Sequence, residues 1–162
     1  PLGAGMKKQE SGFSLVELIV SLLVLSVLLA YAIPSYQRVT ASNALRSSAA
    51  DLITALKMAK MQSVSMRQQV SVTPETGTDW QTGWVLDFPG GSVEKDQTFL
   101  PAGDVVITQT LGSVGPVFKP DGFTNNTPVA FRLCNAKAGD GGRLVSVSVV
   151  GRVSSEDVSC GP

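Results

Sequence analysis

Few side chains in this sequence could do chemistry. It has no histidine, two cysteines (Cys134 and Cys160), and one carboxylate, Glu17, set inside the apolar stretch GFSLVELIVSLLVLSVLLAYAIP that runs from Gly12 to Pro34. Without histidine the commonest general base and the commonest metal ligand are missing, and no Ser/Cys–His constellation can be built. There is also no glycine-rich phosphate loop and no carboxylate pair in a suggestive context. The chain is therefore expected to be no enzyme and to hold no metal or other cofactor. Asp87 and Asp121 read as edge and turn residues, and Trp80 and Trp84 as core or strand packing rather than a ligand platform. Two cysteines without histidine support make a poor metal site. Beside an export-type segment they read as one disulfide in an oxidising compartment, the bacterial periplasm, with two buried free thiols as the alternative.

The segment around Glu17 must be positioned by a helix. Leu18 to Gln37 gives 20 consecutive uncharged residues, which as a helix span about 30 Å, the thickness of a bilayer core. Lys7 and Lys8 precede it, favouring a cytoplasmic N-terminus with the remainder sent outward. A carboxylate within a membrane helix costs about 2.5–3.5 kcal/mol on insertion scales, so it is retained where it has a partner or a function. A cleaved secretory signal would have a shorter apolar core and a small-residue cleavage site after it. Here Ala30 and Ala32 lead directly into Ile33-Pro34 and a continuing helical pattern. A plain signal anchor fits the length but leaves Glu17 unexplained.

With 162 residues, 43% of them hydrophobic, the chain can form one domain of ordinary size plus an appendage. Residues 1–5 (PLGAG) precede Met6, which reads as a start, and are set aside as an upstream extension. Formal charge is zero, and taking Lys7, Lys8 and Glu10 from 13 basic and 13 acidic residues leaves 11 and 12, or net −1. No global charge draws the chain to nucleic acid or anionic lipid, so any such contact needs a local patch.

After Pro34 the helical pattern persists. Leu45, Ala49, Leu52, Leu56 and Ala59 recur every three or four residues, while Arg46, Asp51, Lys57, Lys60 and Arg67 lie mainly off that stripe. Small residues at Ala41, Ala44, Ala49, Ala50, Ala55 and Ala59 permit close approach of a sheet. The pattern predicts one long helix from about Phe13 to Gln68. Beyond it, short apolar or alternating runs predict strands over Gln69–Val72, Gly83–Phe88, Val105–Thr110, Val117–Phe118, Val129–Leu133 and Arg143–Val150. In the last, Val145, Val147 and Val149 are expected on one face. Turns are expected at Pro89-Gly90-Gly91, Pro120-Asp121-Gly122, Asn125-Asn126 and Gly139-Asp140-Gly141-Gly142. The expected fold class is α+β, a long helix laid on antiparallel sheet.

The string Lys7-Lys8-Gln9-Glu10-Ser11-Gly12, followed by Phe13-Ser14-Leu15-Val16-Glu17 and the apolar run, resembles the class III signal of type IV pilins and type II secretion pseudopilins. The resemblance implies a cut between Gly12 and Phe13 by a prepilin peptidase, methylation of the new N-terminal Phe13, and Glu17 as an assembly residue. In a stack of subunits its carboxylate would neutralise a neighbour's Phe13 amine and fix the axial register. Pro34 marks a place where such helices bend or locally melt on assembly. The implied organisation is a leader over 1–12, a transmembrane and assembly helix over 13–40 and a periplasmic head over 41–162.

Fragments of the head resemble the GspH/FimT group of that family. These are Trp80-Gln81-Thr82-Gly83-Trp84, Phe118-Lys119-Pro120-Asp121-Gly122, Phe131-Arg132-Leu133-Cys134, Arg143-Leu144-Val145-Ser146-Val147 and Gly151-Arg152-Val153. The group implies a minor pilin of the FimU/FimT kind, in the inner membrane and then in a pilus at the cell surface. Its implied partners are other minor and major pilins, the prepilin peptidase and the inner-membrane assembly platform. A Cys134–Cys160 disulfide would favour a minor pilin over the secretion pseudopilin H, and would close a loop of about 26 residues worth roughly 3 kcal/mol. Some FimT-like members bind DNA through a Gly-Arg-X-Arg motif. Here Gly151-Arg152-Val153-Ser154 keeps the first arginine only, so DNA binding through Arg152, Arg143 and Lys137 is the lesser alternative, a solvated charged face being favoured.

Overall fold

The helical stripe read from the sequence is one face of α1 (Leu15–Met66) in the computed structural model, which describes residues 13–88, 97–125 and 127–161. The leader with Gly12, the turn at Pro89-Gly90-Gly91 and Asn126 lie outside the described residues. The chain divides into two compact units at Tyr36 and Gln37. In the second unit Leu45, Ala49, Leu52, Leu56 and Ala59 are all buried, Leu52, Leu56 and Ala59 completely. Four of the small residues on that part of the helix, Ala41, Ala49, Ala55 and Ala59, are buried with them, whereas Ala50 points to solvent.

The helix stops because its next residue turns left-handed. Arg67 has φ 54°, and the following Gln68 N–H donates to the Ser63 carbonyl at 3.2 Å, the long bond of a Schellman cap. A residue that bears a Cβ pays strain there that glycine does not. Arg67→Gly is expected to raise the unfolding free energy by about 0.5–1 kcal/mol, read from urea melts of the detergent-solubilised chain. A lower stability would show that the arginine side chain contributes more than its backbone costs.

Among the described residues eight strands follow in two four-stranded sheets, and every pairing between them is antiparallel. The first sheet has the order β3-β2-β1-β5, from β1 (Val70–Thr76), β2 (Asp79–Asp87), β3 (Gln97–Phe99) and β5 (Val117–Phe118). The second has the order β4-β6-β7-β8, from β4 (Val106–Leu111), β6 (Val129–Cys134), β7 (Gly141–Val147) and β8 (Val153–Ser159). Their apolar faces share one core with the helix stripe, including Val70, Val72, Trp84 and Leu86 from the first sheet and Ile107, Phe131, Leu133, Val145 and Val147 from the second.

Three differences from the sequence reading have physical causes. β3 and β8 carry too little apolar alternation to be seen: β3 is three residues long, and β8 reads VSSEDVS with most side chains in water. β7 ends at Val147 rather than Val150, because the chain reverses there: Gly151 N–H donates to the Ser148 carbonyl at 2.8 Å and Gly151 takes φ 68°. Val149 therefore sits in the turn, exposed, while Val145 and Val147 fill the core. β2 begins at Asp79, so Trp80 lies in a strand and is buried along with Trp84, as core packing requires.

Candidate assembly surfaces

The first unit presents an uncovered apolar helix. Leu18, Leu22, Leu25, Leu29 and Ile33 are all about half exposed or more, and α1 contains a stretch long and apolar enough to cross a membrane. Phe13 is 74% exposed. The Glu17 side chain forms no ion pair or hydrogen bond among the described residues, although its backbone carbonyl accepts the Ser21 hydroxyl at 2.7 Å. A surface of this composition is covered by lipid or by other helices, and a carboxylate within it is costly unless it has a partner or a function. The helix runs unbroken through Pro34. Proline there lacks the N–H that would bond the Ala30 carbonyl, so α1 is one backbone bond short at this turn.

In the second unit, residues far apart in sequence meet at one junction. The Lys60 ammonium, from α1, donates to the carbonyls of Val150 and Gly151 at 3.3 and 3.0 Å. Gly151 lies so close to the Gly122 carbonyl that any side chain there would collide with it. Thr124 N–H donates to the Val149 carbonyl at 2.9 Å, and the Asp121 carboxylate accepts the Phe123 N–H at 3.0 Å, which shapes the Pro120-Asp121-Gly122 turn. The Phe118–Gly122 and Gly151-Arg152 fragments singled out in the sequence are thus neighbours, pinned to the helix by one lysine. Lys60 gave no sign of this in the sequence beyond lying off the apolar stripe.

The candidate nucleic-acid cations are not brought together as a free cluster. Arg143 Nε pairs with Asp157 Oδ1 at 3.1 Å, and Lys137 Nζ pairs with Asp104 Oδ2 at 2.6 Å. Lys137, by hydrogen bond and charge, holds the Asp104 carboxyl below its ordinary range. That pair is solvated, so its small contribution is present above the ordinary carboxylate pKa and disappears as pH falls through the lowered one. Arg152 is exposed, and its side chain forms no ion pair among the described residues.

Cys134 and Cys160 form a disulfide, with Cα atoms 5.9 Å apart and a separation of 26 positions in sequence. It ties the end of β6 to the residue just after β8, and Gly142 of β7 packs so tightly beside both sulfurs that a side chain there would strike Cys160 Sγ. Replacing both cysteines by serine is expected to cost about 3 kcal/mol, and to lower Tm by roughly 10 °C, measured by thermal unfolding with and without reductant. A variant as stable as the parent would mean that β8 is held by its ladder to β7 alone.

An uncovered apolar helix with one carboxylate near its start, continued into a head where the same helix packs on antiparallel sheets, defines a type IV pilin-like protein. The chain belongs to the GspH family: the family model of type II transport protein GspH matches residues 48–151, and that of the prokaryotic N-terminal methylation motif matches residues 7–33. Two crystal structures of the type IV minor pilin FimU of Pseudomonas aeruginosa (strain PAO1) share the fold. One is 26% identical over 71% of this chain and 90% of that one, with a TM-score of 0.59. The other is 25% identical over 69% and 92%, with a TM-score of 0.58. No curated protein matches. The chain is thus a GspH/FimT-like minor pilin or pseudopilin, a structural protein and not an enzyme.

Proposed function

We propose that the chain is a minor pilin of a type IV pilus that acts in priming its assembly, at its tip, or both. The leader is removed between Gly12 and Phe13 by prepilin peptidase, Phe13 is methylated, and the helix anchors the protein in the inner membrane with the head in the periplasm until the assembly platform draws it into the filament. The observation that carries this reading is Glu17: a carboxylate whose side chain has no partner among the described residues, near the start of an uncovered apolar helix. The methylated amine of Phe13 on a neighbouring pilin is a cation of the right charge, confined to the same apolar layer. The likeness to FimU over most of that protein's length supports a pilus over a secretion apparatus. Deleting the gene is expected to abolish or shorten surface pili while leaving secreted proteins in the medium unchanged. Lost secretion with normal piliation would assign the chain to the type II apparatus as pseudopilin H.

DNA capture is the lesser reading, because two of its three candidate cations face carboxylates. A salt titration of the full chain in micelles against duplex DNA is expected to show no binding that depends on Arg152. Micromolar binding removed by Arg152→Ala would reverse the order of the two readings.

A further inference from the structure

The second sheet ends at β8. Among the described residues β8 is the last strand in that sheet and pairs with β7 alone, in unbroken register from Gly141↔Ser159 to Val147↔Val153. Cys160 N–H donates to the Asp140 carbonyl at 2.7 Å, and Ser148 N–H to the Arg152 carbonyl at 3.0 Å. Those two bonds fix the phase of the ladder, since antiparallel pairs alternate between hydrogen-bonded and non-hydrogen-bonded. The even-numbered residues of β8 bond to β7. The N–H and C=O groups of Val153, Ser155, Asp157 and Ser159 therefore point away from it, and no strand among the described residues pairs with them.

Proteins that leave such an edge open usually blunt it with proline, charged side chains (lysine above all), a bulge or brevity. β8 has no proline, no lysine and no bulge, it runs for 7 residues, and the Cys134–Cys160 disulfide fixes its far end. What it does carry is Glu156-Asp157. Consecutive strand residues face opposite sides of the sheet, so one carboxylate flanks the edge on each side. Glu156 lies opposite Leu144 and is exposed, while Asp157 faces Arg143 yet keeps 84% of its side chain in water.

The charges select the occupant. Two copies of this chain joined antiparallel through β8 would place carboxylates against carboxylates near the centre of the new pair, which is destabilising. A strand with cations at two consecutive positions would meet one carboxylate on each face. We infer that the outer edge of β8 accepts, by strand addition, a strand from a different protein that bears adjacent basic residues, and that the acid pair keeps the chain from pairing with itself. Main-chain bonds to the outward groups supply affinity and the acid pair supplies selection. The inference concerns the head alone and holds whichever apparatus incorporates the protein.

The test uses the full chain in detergent micelles, followed by NMR. In the free protein the Ser155 and Asp157 amides are expected to exchange rapidly with solvent, and the Ser154 and Glu156 amides slowly. The probe is the peptide acetyl-Thr-Val-Thr-Arg-Lys-Val-Thr-amide, with Glu-Glu in place of Arg-Lys as its control. The Arg-Lys peptide is expected to bind about tenfold or more tightly than the control and to slow exchange at Ser155 and Asp157. Ser155→Pro removes an outward donor while sparing the bonds to β7, a placement that edge strands tolerate. It is expected to keep the parent's Tm and lose about tenfold or more in peptide affinity. Glu156→Lys, which leaves the backbone unaltered, is expected to erase the preference for the cationic peptide. Slow exchange at Ser155 and Asp157 in the free protein, equal binding by the parent and Ser155→Pro, or no preference between the peptides would each overturn the proposal. In the last case the acid pair is a guard against self-association and nothing more.

Discussion

A Glu17→Ala chain is expected to be made, processed and held in the membrane as well as the parent, yet to be depleted from assembled filaments about a hundredfold or more. Membrane retention should not suffer, because removing a carboxylate from an apolar helix relieves about 2.5–3.5 kcal/mol of insertion cost. Assembly should suffer, because truncating one member of a buried charge pair leaves the other unpaired, at about 3–5 kcal/mol, and each 1.4 kcal/mol is tenfold in an association constant. The opposed signs give the experiment its power: a folding or insertion defect would lower both quantities, and a pairing defect only one. Glu17→Gln keeps the shape and loses the charge, so it should resemble Glu17→Ala in sheared filaments quantified by immunoblot. Unchanged incorporation of either variant would remove the charge-pair account of the stalk.

What the sequence made legible was whatever depends on local pattern. Leu45, Ala49, Leu52, Leu56 and Ala59 stand on one helix face by spacing alone, and all are buried. Val145 and Val147 alternate with serines, and both fill the core. Glu17 was legible because it is the one charge in a long apolar run. Hidden from the sequence were pairings set by distant partners. The three residues of β3 are a strand only because Trp84, Val85 and Leu86 of β2 offer them a register. β8 is polar because it lies at an edge, and an edge strand needs no apolar face of its own. The division of the strands into two sheets follows from crossovers that leave no periodic trace. Ser48 shows the same limit on a smaller scale. It reads as an ordinary helical serine, yet it is completely buried and its hydroxyl accepts the Ala102 N–H at 2.8 Å, fastening a loop to the helix.

The junction of the two sheets carries the other large effect, and it rests on Phe131. This side chain, at the centre of β6, is completely buried and meets the Trp80 ring of β2 edge to face, with centroids 4.4 Å apart and planes at 60°. The contact crosses from one sheet to the other. The Trp80 indole N–H donates to Gln109 Oε1 of β4 at 3.1 Å, and the Gln109 amide donates to the carbonyls of Val114 and Leu111 at 3.1 and 3.3 Å. Losing the phenyl ring would therefore open a cavity and also release the tryptophan that this polar chain holds in place. Phe131→Ala is expected to cost about 3–5 kcal/mol, a large part of the roughly 5–15 kcal/mol that a domain has in total. Phe131→Leu fills most of the space and is expected to cost about 1–2 kcal/mol. A double-mutant cycle with Trp80→Leu, read from urea melts of the micelle-bound chain, should return a coupling of about 0.5–1.5 kcal/mol for the ring pair. Additive losses would mean that each ring packs against its own sheet and that the sheets are joined elsewhere, through the helix they both cover.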